Sequence, residues 1–82
     1  MPELKEVLGA MIFAAKRPLG VREMRTCLEE VAKDVGGKTK PFAELKDADI
    51  KAALEDLRAS LDVQGGGFEL AEVHGGFRFQ SD

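Results

Sequence analysis

The 82-residue sequence predicts a mainly helical α+β fold, three helices closed by a C-terminal β-hairpin. Three observations predict it. Apolar residues recur at the helical period in three separate segments. A glycine stretch, Gly65-Gly66-Gly67, ends the last of these patterns. Beyond it, alternation of period two runs on either side of His74-Gly75-Gly76.

The first helix is expected over Glu3–Lys16. Leu4, Val7, Leu8, Met11, Ile12 and Ala15 form one continuous stripe at helical spacing. Pro2 suits the first turn, where its missing N–H has no partner to lose. Glu3 and Glu6 complement the positive end of the helix dipole, and Lys16 and Arg17 the negative end. Pro18 stops the helix by disfavouring α geometry in the residue before it. From Val7 to Ala15 there is no charge, and Phe13 falls about 180° around the wheel from Leu4. Two readings stay open. Either the domain's own elements bury this helix on two sides, or Phe13 meets a partner chain.

A short connector, Leu19 to Val21 around Gly20, is expected to hold one or two extended residues. The second helix then runs over Val21–Lys33, with Met24, Cys27, Leu28 and Val31 inward. Gly36-Gly37 supplies its stop, and Lys38 to Pro41 continue as a polar loop. Phe42 and Leu45 are placed to pin that loop to the core. Asp47 is expected to cap a third helix over Ala48–Leu61, with Asp49 adding a favourable first-turn charge. Ile50, Ala53, Leu54, Leu57 and Leu61 form its narrow apolar stripe.

Two hairpin registers compete. A two-residue Gly75-Gly76 loop sets Glu72 opposite Phe79 and mixes charge into an aromatic face. A three-residue loop with a bulge at Gly76 pairs Val73 with Phe77, Ala71 with Phe79 and Glu72 with Arg78. The second is preferred. It turns Ala71, Val73, Phe77 and Phe79 inward and leaves Phe68 and Leu70 on the opposite face.

Composition excludes several functions. Twelve Lys+Arg against 15 Asp+Glu give a net charge of −3, the wrong sign for a strong non-specific polyanion binder. One cysteine forms no internal disulfide, and no apolar run is long enough to span a bilayer. Glu3 and Glu6 stand where a signal peptide is basic, so a cytoplasmic protein is expected. His74 and Cys27, the single histidine and cysteine, lie on different elements and read as a turn residue and a small core residue. Asp47 and Asp49 are accounted for by helix capping, and Gly65-Gly66-Gly67 lacks the spacing and following Lys of a phosphate loop. No catalytic, cofactor-binding or metal-binding residue is expected. Apolar side chains are left over instead: Phe13, Phe68 and Leu70 are the candidate interface residues of a homodimer.

The order helix, connector, helix, loop, helix, hairpin is that of a winged helix-turn-helix domain. Within it, Phe13, Pro18-Leu19, Gly67-Phe68-Glu69-Leu70, Val73 and Gly75-Gly76-Phe77-Arg78 stand at positions that resemble the N-terminal winged-helix domain of the bacterial segregation and condensation protein ScpB family. The stretch Val35 to Lys46 is longer than that family's usual connection. The resemblance implies that residues 1–82 form one winged-helix domain, the N-terminal part of a longer two-domain protein. It also implies a non-enzymatic subunit that dimerises and binds the kleisin subunit ScpA within the SMC complex, acting in chromosome condensation, partition and cell division. A transcription regulator is the rival reading. It needs basic residues on the third helix and the wing, yet Lys46–Asp62 holds three bases against five acids, and Val63–Asp82 one against three. Direct DNA recognition by this domain is therefore not expected.

Overall fold

The computed structural model describes residues 3–64 and 67–81. Helix α1 spans Leu4–Ala14, α2 Val21–Val35 and α3 Asp47–Gln64. A 3₁₀ segment, Gly37–Glu44, joins α2 to α3. Strands β1, Phe68–Val73, and β2, Gly76–Ser81, pair antiparallel. The layout is winged-helix-like, as the sequence pattern predicts. Gly65, Gly66 and the termini, including the expected Pro2 start, lie outside the described residues.

The core forms where the three helical stripes converge. Leu8 and Ile12 come from α1, Met24, Leu28 and Ala32 from α2, and Ile50, Ala53, Leu54 and Leu57 from α3. The hairpin closes the open side with Leu70 and Phe77. Phe42 and Leu45 do pack on this core, and the polar run before them winds into 3₁₀ turns rather than the expected loop. Gly36, at φ +67 and ψ −154, makes the sharp exit from α2 in a backbone region essentially restricted to glycine.

On α2 the buried line is Met24–Leu28–Ala32, a strict i, i+4 row. Cys27 and Val31 sit one position off that row, so Cys27 is exposed and not a core residue, and Val31 is 40% exposed. At α3 the cap is shifted by one residue. Lys46 accepts the first helical bonds, its carbonyl taking the N–H groups of Asp49 and Ile50 at 2.9 and 3.2 Å. Its own N–H donates to Asp49 Oδ2 at 2.8 Å. Asp47 is thereby freed to pair with Arg25 across the α2–α3 junction, at 3.0 Å.

The hairpin register differs from both expected alternatives. Its loop is His74-Gly75, with φ +50 and +79, and Val73 pairs with Gly76, Glu72 with Phe77, and Leu70 with Phe79. Positive φ at both loop residues is the signature of the tight turn whose twist matches the strands, and histidine is among the residues that tolerate it. Shifting the register by one residue exchanges the two faces. Leu70 therefore points into the core at 5% exposure, so it is no interface candidate, and Phe77 and Phe79 share its face. Ala71 and Val73 turn outward, and Glu72 does not face Arg78.

With this register Gly76 opens β2 and packs closely against Pro18. A Cβ at Gly76 would stand 2.8 Å from Pro18 Cβ and 2.9 Å from the Pro18 carbonyl carbon. That glycine serves a close approach of backbones rather than the turn. Beside it, Leu19 N–H donates to Phe77 O at 3.0 Å, and Phe77 N–H donates to Leu19 O at 2.7 Å. The expected extended residue in the connector is thus Leu19, bridged to the wing.

Candidate protein-binding groove

The close approach of connector and wing leaves an apolar groove of about 510 Å³ along one edge of the domain. Its floor is Ile12, Leu61 and Phe79, the outer margin of the core. Phe13, in the last turn of α1, and Phe68, at the start of β1, rise on either side. They are 80% and 57% exposed. Pro18 and the ends of Lys16 and Arg78 complete the rim, and neither cation makes an ion pair among the described residues. Two large aromatic rings held open beside an apolar floor are the composition of a protein-binding patch, with cations restricted to its margin.

Phe13 and Phe68, expected together with Leu70 as interface candidates, line one groove, whereas Leu70 does not join them. Of the two readings of Phe13, burial by the domain's own elements is excluded by its exposure. Sequence reasoning missed Phe79, Leu61 and Pro18 as parts of the groove. The expected register gave Phe79 the wrong partner, and neither the helix stop nor the family resemblance marked Pro18 as part of a groove.

The connector is held from outside as well. Glu23, in the first turn of α2, accepts the Gly20 N–H at 3.1 Å and both terminal nitrogens of Arg17. Hydrogen bonding from Arg17, then from the Gly20 backbone, pulls the Glu23 carboxyl down to about 2. The Arg17 guanidinium is correspondingly raised by the same contact. Because the folded-state value is depressed, whatever this pair contributes is present above the ordinary carboxylate range and is lost as pH falls toward 2. Both side chains are exposed, so the effect is local. Carbon-detected NMR should give Glu23 a titration midpoint near 2 with the Gly20 amide shift following it. A midpoint in the ordinary range, about 4.3, would show the pair unformed in solution.

Other surfaces offer less chemistry. Helix α3 carries Lys51 and Arg58 against Asp47, Asp49, Glu55, Asp56 and Asp62, and Arg58 is already paired with Glu55 at 3.1 Å. This is a repulsive face for a phosphate backbone. His74 stands exposed on the turn. Among the described residues, no group of three or more His, Cys, Asp or Glu side chains converges as a metal site, and no helix is long and apolar enough to cross a membrane.

No protein-family model matches the chain, and no curated protein matches it significantly. A solved structure does: a conserved hypothetical protein from Chlorobium tepidum, with a TM-score of 0.63 at 19% identity over 96% of this chain. At that identity the match shows the fold alone. The chain spans 41% of the length of that structure.

Proposed function

We propose that this chain is a non-catalytic, ScpB-type subunit of a bacterial SMC–kleisin complex, acting in chromosome condensation and segregation by binding proteins. It self-associates as a homodimer, binds the kleisin subunit, and reaches the nucleoid through the complex rather than by reading DNA. The observation that carries the protein-binding role is the apolar groove flanked by Phe13 and Phe68, open on a small domain whose other large side chains are mostly used in its core. The ScpB assignment rests on the residue resemblance from Phe13 to Arg78. Acid-rich α3 supports protein partners over nucleic acid. A two-fold symmetric contact suits the groove, because each copy presents the same exposed rings and the same recess. Sedimentation equilibrium of the purified chain tests this directly. A dimer at micromolar concentration is expected, and a strict monomer at several hundred micromolar would overturn the self-association.

A further inference from the structure

The Lys16–Pro18 side of the groove is irregular backbone, yet it is fixed from two directions. Outside, Glu23 binds Arg17 and the Gly20 N–H, gripping the connector at both ends. Arg17 Nη1 also lies 3.4 Å from the Pro18 carbonyl oxygen. Inside, the paired bonds between Leu19 and Phe77 hold the connector to β2. The separation there is set by Gly76, where an added Cβ would meet Pro18 Cβ, C and O at 2.8, 2.9 and 3.1 Å. Gly76 is not among the glycines with positive φ, so the requirement is for space and not for conformation. Neither Glu23 nor Gly76 lines the groove.

We propose that Glu23 and Gly76 are positioning residues for the protein-binding groove, clamping the Lys16–Pro18 wall at the distance from Phe79 and Arg78 that a docking copy requires. The clamp rests on the self-association reading given above. Its physical basis is preorganisation: a wall fixed before contact need not be ordered during it.

Two variants probe the two halves. Glu23→Gln removes the charge from an exposed pair, so the melting temperature stays close to wild type. Its self-association weakens by about fivefold, the scale of ordering one or two extra side chains on docking. Gly76→Ala forces β2 away from Pro18 and weakens association by about tenfold or more, as overpacking a close contact does. Both shift the amide resonances of Lys16 and Phe79. Ile50→Val is the control, since it loosens the core without touching groove or clamp, and it leaves the association constant of the folded protein unchanged.

The proposal is overturned if both variants keep wild-type association, whatever their Lys16 and Phe79 resonances, or if Ile50→Val weakens association equally. Should Gly76→Ala not fold, Glu23→Gln decides alone. Should the wild type prove monomeric, the self-association reading falls and the clamp with it; a dimeric wild type with unaffected variants overturns the clamp alone.

Discussion

Phe13→Glu yields a folded domain that no longer self-associates. The ring is 80% exposed at the end of α1, so its removal opens no cavity in the core. The local cost of an acid there is small, about 0.3–1 kcal/mol from the unfavourable end of the helix dipole. In the proposed dimer the same side chain flanks an apolar recess, where a buried aromatic anchor contributes about 2–4 kcal/mol, or roughly 30- to 1,000-fold in the dissociation constant. A carboxylate in its place adds a desolvation cost. The two effects therefore separate cleanly: circular dichroism reports an intact helical domain while sedimentation equilibrium reports monomer. An unfolded variant would show that Phe13 supports the fold. An unchanged association constant would place the interface elsewhere.

The largest loss of stability is expected at Leu28→Ala. Leu28 is fully buried on α2, within the cluster shared by Met24, Ile50 and Leu54. Truncating such a residue costs about 2–5 kcal/mol, and a domain of this size holds only about 4–12 kcal/mol in total. Urea denaturation should show the midpoint falling steeply, with a substantial unfolded population in water at the upper end of that cost. The adjacent substitution Cys27→Ala is the contrast, because its side chain is exposed and its replacement is nearly neutral. Equal losses at the two positions would contradict the α2 packing described here.

That contrast also marks where sequence reading succeeds and fails. The three helices were legible because their apolar stripes are long and interrupted by Pro18 and the Gly36-Gly37 pair. Which neighbour on a stripe is buried was not. The rows Met24–Leu28–Ala32 and Cys27–Val31 are adjacent on α2, and which of them is buried depends on how α3 and the 3₁₀ segment pack against the helix. The hairpin was legible as a hairpin, but its register was not, because three candidate turn residues stand together and each permits a different pairing. The close approach of Gly76 to Pro18 that accompanies the observed register joins residues 58 positions apart and leaves no local signal. Moving the register by one residue then moved Leu70 from the predicted surface into the core. Phe13 and Phe68 were legible as unpartnered apolar residues; that they flank one groove depends on the wing folding back to the end of α1.

Binding to the kleisin subunit is the most direct test of the proposed role. Calorimetric titration of the purified protein with ScpA of the same cell, run beside duplex DNA at physiological salt, separates the two readings of a winged helix. The expected result is saturable binding to the kleisin and none to DNA. Saturable DNA binding without kleisin binding would contradict the proposed function and favour a regulator.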